Sequence, residues 1–133
     1  AADLAGKWIL ESSENFDDYM KAVGVGMVMR KMANAATPTQ EIKIDGDSWS
    51  IKTSTTFKTT DISFTIGQEF DETTGDGRKI KTTCKIDGNA MIQDQKGSPD
   101  SILSREVKDG KMHMILKVND VVCTRIYKRV DLE

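Results

Sequence analysis

The side chain with the strongest chemical demand in this sequence is Arg105. It shares a strand face with Leu103 and Val107, while Ser104, Glu106 and Lys108 alternate onto the other side. That period of two points a guanidinium inward. Such a group does not escape its charge by losing a proton, so once desolvated it requires carboxylate, carbonyl or water acceptors. The last strand poses the same demand, with Arg125 and Tyr127 in phase with Val121 and Cys123. Its other register, Val122, Thr124, Ile126, Lys128 and Val130, alternates equally well, and pattern alone does not choose between them. More polar side chains share apolar faces: Thr53 and Thr55 with Trp49, Ile51 and Phe57, Thr82 with Ile80 and Ile86, Gln93 and Gln95 with Met91. A sealed core disfavours these, because an unpaired buried polar group costs roughly 1–3 kcal/mol. A roomy lumen satisfies them through ordered water; bulges that shift the phase of two or three strands are the alternative account.

Catalytic chemistry finds little support. There is no G-x-S-x-G, H-E-x-x-H or Walker-type glycine loop, and the acidic residues are scattered over strand turns. His113, the single histidine, is out of phase with Met112 and Met114 and is expected to face outward. Asp45-Gly46-Asp47 opens like a calcium loop, but Trp49 and Thr56 stand where later ligands are needed, so it reads as a hairpin turn. Cys84 and Cys123 lack a C-x-x-C neighbour and read as buried thiols of a reducing compartment. The expectation is a protein with no catalytic residues, no metal and no cofactor.

Composition narrows the class. The chain has 133 residues, a formal net charge of −2, 30% charged and 38% hydrophobic residues, which suits one domain over 1–133. The basic excess that holds nucleic-acid phosphates is missing, so nucleic acid is not an expected partner. The uncharged stretch Ala22 to Met29 falls well short of the ~20 apolar residues that cross a bilayer. Ala1 to Leu10 carries Asp3 and Lys7 and lacks the apolar block of a secretory signal, although a signal already removed stays open. With no N-x-S/T acceptor in the chain, a cytoplasmic location is expected.

Two kinds of periodicity position these residues. Phe16, Tyr19, Met20 and Val23 recur at helical spacing, with Asn15 as a candidate cap, Asp17 and Asp18 in the first turn and Gly24 and Gly26 as breakers. A second short helix is expected from Met27 to Ala35, with Val28 and Met32 on one face and Arg30, Lys31 and Asn34 toward solvent, ended by Thr37-Pro38. After Gln40 the period becomes two, and turn signals such as Asp45-Gly46, Gly75-Asp76-Gly77, Asp87-Gly88 and Asp109-Gly110 recur along the rest of the chain. With a strand through Lys7 to Glu11, this gives about ten hairpin-linked antiparallel strands. A sheet of that size removes most of its exposed edges by curling into a barrel.

Several segments carry a family resemblance. Gly6-Lys7-Trp8, then Glu14-Asn15-Phe16-Asp17-Asp18-Tyr19-Met20-Lys21 and Ala22-Val23-Gly24-Val25-Gly26, are followed in order by Ser54-Thr55-Thr56-Phe57-Lys58, Glu69-Phe70-Asp71-Glu72-Thr73-Thr74 and Val122-Cys123-Thr124-Arg125-Ile126-Tyr127. Together they resemble the intracellular lipid-binding proteins, specifically the fatty-acid-binding proteins of heart and muscle type, over essentially the whole chain. The resemblance implies an all-β fold: a ten-stranded antiparallel up-and-down β-barrel, or β-clam, capped by a short helix-turn-helix around a water-filled ligand cavity. It also implies a role, non-enzymatic binding and transport of long-chain fatty acids in the cytoplasm, by a monomer.

By the same resemblance Arg105, Arg125 and Tyr127 hold the ligand carboxylate, which selects the inward register for the last strand. Retinol-type relatives carry glutamine where the arginines stand. The implied cavity wall is Phe16, Met20, Val25, Thr53, Phe57, Asp76, Met114 and Leu116. The implied portal comprises the second helix, the turn at Phe57-Lys58 and the turn at Gly75-Asp76. Lys21, Met27, Arg30, Lys31, Phe57 and Lys58 are its candidate surface for transient contact with an anionic membrane. A retinoic-acid or bile-acid carrier, which uses the same arginine-tyrosine set, and a membrane-stacking or interaction module with a secondary lipid site are the rival readings.

Overall fold

A computed structural model describes residues 1–130. A 3-10 turn (Ala2–Leu4) leads into β1 (Gly6–Glu14), and two short helices follow, α1 (Phe16–Ala22) and α2 (Met27–Ala35). Nine further strands follow among the described residues: β2 (Thr39–Asp45), β3 (Ser48–Ser54), β4 (Thr59–Thr65), β5 (Phe70–Thr73), β6 (Lys79–Asp87), β7 (Ala90–Lys96), β8 (Ser101–Lys108), β9 (Lys111–Val118) and β10 (Val121–Arg129). Each strand pairs antiparallel with its sequence neighbour, except that β1 also closes onto β10 and no ladder joins β4 to β5. The result is the expected up-and-down barrel, nearly closed, with one seam.

Local chemistry accounts for the turns and for the alternation. Asp109 and Gly110 both take positive φ, 53° and 77°, the geometry of a two-residue hairpin turn whose twist matches its flanking strands. Inward positions along β9 and β10 are buried at Met112, Met114, Leu116 and Val118 and at Cys123, Arg125 and Tyr127. Lys43, Lys52, Lys81 and Lys85 stand exposed on the outer face. One end of the barrel is filled by Leu4 and Trp8, both fully buried. The Arg129 guanidinium lies 4.1 Å over the Trp8 ring and donates to the carbonyls of Asp3 and Ala5.

Three local expectations are corrected. Asn15 does not cap α1 with its side chain. It adopts φ 65°, in the left-handed region, which asparagine tolerates better than most residues and which turns the chain off β1. Its Nδ2 donates instead to the Val122 carbonyl at 3.1 Å. Val28 does not share a buried stripe with Met32: α2 buries none of its residues, and Val28 is 75% exposed, because the helix lies across an opening rather than on a filled core. Ile86 keeps the phase of Ile80 and Cys84 but is exposed. The β5 ladder reaches only as far as Thr82, so Ile86 lies beside the seam without a neighbouring strand on that side.

Candidate functional site

Register brings the two arginines into one row. Arg105 on β8 faces Met114 on β9, and Met114 faces Arg125 on β10. The guanidiniums therefore come from strands two ladder steps apart, roughly 10 Å at the backbone. Tyr127 follows Arg125 by one inward position. Arg105, Arg125 and Tyr127 are only 3%, 4% and 2% exposed, so of the two registers that the sequence left open, β10 adopts the one that turns Cys123, Arg125 and Tyr127 inward.

Their partners are neutral. Arg105 donates from Nε to Gln40 Oε1 at 3.1 Å and from Nη1 to Gln93 Oε1 at 2.9 Å. Burial pushes the Arg105 guanidinium below its ordinary value, against the pull of Tyr127, Cys84 and Glu72. Arg125 donates to Ser13 Oγ at 3.1 Å, and its guanidinium carbon stands 3.8 Å from the centre of the Phe16 ring. Sequence reasoning missed Gln40, Ser13 and Glu72. Glu72 on β5 is buried and accepts from Thr82 Oγ1, Gln93 Nε2 and Gln95 Nε2. Its segment is four residues of mixed polarity, too short to display an alternation.

The row opens into a cavity of about 400 Å³, within the range of about 300–1,000 Å³ typical of small-molecule sites. Phe16, Met20, Val25, Thr53, Phe57, Asp76, Met114 and Leu116 all line it, together with Arg105, Arg125 and Tyr127. Thr55, Gln93 and Gln95 line it too, as the mixed polarity of their strand faces requires. Tyr19, on its wall, bonds Ser101 at 2.6 Å, and burial raises its phenol.

At the mouth stand Met29 and Met32 of α2, the turn carrying Phe57 and Lys58, and the turn carrying Gly75 and Asp76. Lys58 Nζ donates to the Gly75 carbonyl at 2.9 Å and links the two turns. Asp76 pairs with Arg78 at 2.7 Å and accepts from Thr74. Burial works to raise its carboxyl, but the Arg78 and Thr74 bonds hold it below the ordinary carboxylate value. Met27 and Lys31 are exposed on α2 but do not line the cavity. Lys21 and Arg30 both reach Asp17, at 3.4 and 3.2 Å, so the structure does not gather Lys21, Arg30 and Lys31 into a free basic cluster.

Among the described residues no group of three or more His, Cys, Asp and Glu side chains is placed to hold a metal, and no helix is long and apolar enough to cross a membrane. Cys84 and Cys123 are free and fully buried, and burial pushes their thiols up to about 12 and about 11.

Comparison with known proteins agrees with this geometry. Residues 5–130 match the model of the lipocalin / cytosolic fatty-acid binding protein family. Fatty acid-binding protein 5 of Rattus norvegicus is 46% identical over 129 residues, 96% of each chain, and its Homo sapiens counterpart is 45% identical over the same share. A solved mutant of the REP1-NXSQ fatty acid transporter is 99% identical over 98% of this chain and all of its own, with a TM-score of 0.97. The Schistosoma mansoni fatty acid binding protein, solved in complex with arachidonic acid, is 36% identical over 98% of both chains, with a TM-score of 0.94. A barrel of this topology, a cavity of this kind and matches of this extent place the chain in the lipocalin / cytosolic fatty-acid binding protein family.

Proposed function

We propose that this chain, as one domain and as a monomer, binds and carries long-chain fatty acids in the cytoplasm without catalysing a reaction. Arg105, Arg125 and Tyr127 receive the carboxylate, and the acyl chain runs along the cavity wall toward the mouth under α2. One observation carries the reading: two buried guanidiniums in a single cross-strand row, with neutral partners, facing a largely apolar cavity. Charge-assisted bonds from a planar guanidinium suit a carboxylate, and they strengthen where water is excluded. Burying about fifteen methylenes at about 0.8 kcal/mol each contributes on the order of 12 kcal/mol, against an association cost of about 4–15 kcal/mol. The chain thus supplies most of the affinity and the arginines supply the choice of head group. The names of the rat, human and Schistosoma relatives support the same ligand class, and two buried free thiols suit a reducing compartment.

The mouth also suits transient contact with an anionic membrane, since Met27, Val28 and Phe57 are exposed beside Lys31 and Lys58. Transfer of ligand to anionic vesicles is then expected to slow with salt and with Lys31→Glu. Rates indifferent to both exclude the contact.

The carrier reading is tested by displacing a bound fluorescent fatty acid with oleate, retinoic acid and a bile acid in turn. Oleate is expected to compete most strongly. Stronger competition by either of the others transfers the site to that ligand class.

A further inference from the structure

Glu72 is an acid inside a cavity read as receiving an acid. It lies on β5 facing the lumen, 7% exposed. Thr82 Oγ1 at 2.7 Å, Gln93 Nε2 at 2.9 Å and Gln95 Nε2 at 3.2 Å all donate to its Oε1. Three donors converging on one oxygen is the pattern that an anionic carboxylate collects. Gln93 then turns its own Oε1 to Arg105 Nη1 at 2.9 Å, so a single glutamine side chain separates Glu72 from that guanidinium. Arg125 has no such relay, its partners being a serine hydroxyl and a phenylalanine ring.

Charge counting turns this asymmetry into a preference. Of the charged side chains that line the cavity among the described residues, Asp76 and Arg78 neutralise each other at the mouth, and Lys58 is exposed on the outer rim. Glu72, Arg105 and Arg125 remain inside, leaving one positive charge in excess. In a poorly screened interior an unbalanced charge is costly, so one monoanion brings the site to neutrality and a second negative charge overshoots it.

We propose that Glu72 is a specificity-determining residue: as the resident counter-ion of Arg105 it fits the cavity to a single monoanionic head group and turns away amphiphiles whose head group carries two negative charges. This rests on the reading that Arg105, Arg125 and Tyr127 face the ligand's head. Glu72 contributes no bond to the acyl chain; it sets the charge that the head group meets.

The test compares hexadecanoate with tetradecylmalonate, doubly ionised in mildly alkaline buffer, as competitors for a fluorescent fatty acid. Glu72→Gln keeps an acceptor oxygen for the three donors while removing the charge. It is expected to tighten malonate binding by about tenfold more than hexadecanoate binding, the order of magnitude for one charge acting across about 10 Å of protein. Glu72→Asp, which keeps the charge on a shorter side chain, is expected to retain the wild-type preference. If Glu72→Gln does not melt cooperatively, Glu72→Met, neutral and similar in length, carries the same expectation. An unchanged preference in the neutral variant overturns the inference, and so does an equal shift in Glu72→Asp, which reports packing rather than charge. Wild-type protein that binds no hexadecanoate overturns the fatty-acid reading itself; wild-type protein that binds it while the preference ignores Glu72 overturns the charge assignment alone.

Discussion

A guanidinium held, among the described residues, by Ser13 and the Phe16 ring keeps most of its donors for something that arrives from outside. On the proposed reading Arg125 receives the carboxylate, and hydrogen bonds to a charged group are worth about 1.5–3 kcal/mol. Arg125→Gln is therefore expected to weaken oleate-like acids by about 10–100-fold while sparing the alcohol of the same chain. Titrating both ligands against both proteins checks this, and equal losses undo the carboxylate assignment. The thiols are a second case at this scale. With Cys84 pushed up to about 12 and Cys123 to about 11 by burial, almost no thiolate exists near neutrality. The native protein is expected to resist maleimide and to label at both sites once unfolded; rapid labelling of the folded protein shows the barrel opening to reagent. Arg105 was legible from sequence because its strand alternates in one register only. Arg125 was not, because both phases of β10 alternate, and its direction came from the family resemblance. Gln40 and Glu72 were illegible for a simpler reason: each is polar among polar neighbours, and only the closure of the barrel shows that its side of the strand is the inside.

At the scale of elements, the two helices are fastened to each other at one carboxylate. Asp17 in α1 accepts from Asn34 and Arg30 of α2 at 3.0 and 3.2 Å, with Lys21 a turn along α1, and Arg30 also donates to the Val25 carbonyl between the helices at 2.7 Å. The spacing of apolar residues located both helices, yet it gave no sign of this tie, since an acid in a first turn and bases on a later helix read as solvated charge. Burial works to raise the Asp17 carboxyl, but its bonds with Asn34 and Lys21 and the charges of Lys21 and Arg30 outweigh that and hold it below the ordinary value. A lowered carboxyl places the stabilisation above the ordinary carboxylate range, to be lost as pH falls through the lowered value. Because α2 covers the mouth with no buried residue of its own, loosening Asp17 should free the lid before it harms the barrel. Asp17→Asn is expected to speed ligand release at neutral pH, with wild type approaching the same rate in acid. Stopped-flow transfer measures both, and identical rates across the pH range disconnect the tie from release.

At the scale of the whole molecule, the described residues form a sheet of ten strands whose first and last members meet through β1 and β10, leaving one place where no backbone ladder runs, between β4 and β5. Turn spacing alone predicted the number of strands and their antiparallel order. It did not predict the seam, because nothing in a run of hairpins says which neighbouring pair will part. Side chains bridge the opening: Phe64 of β4 and Phe70 of β5 stack at 5.3 Å, nearly parallel, and Trp49 of β3 extends the stack at 6.2 Å from Phe64. At its turn the seam gains one backbone bond, from Gly67 to the Cys84 carbonyl at 2.8 Å. The aromatic row is then the side-chain packing that spans the seam. Phe64→Ala is expected to cost about 3 kcal/mol, the lower end for a buried phenylalanine because the cavity left behind borders an opening and collapses in part. Chemical denaturation measures the loss, and hydrogen exchange locates it. Faster exchange is expected in β4 and β5 but not across β8 to β10, whose ladders continue on both sides. Exchange that quickens equally around the barrel means that the seam has no independent stability and that the ring stack serves the fold as a whole.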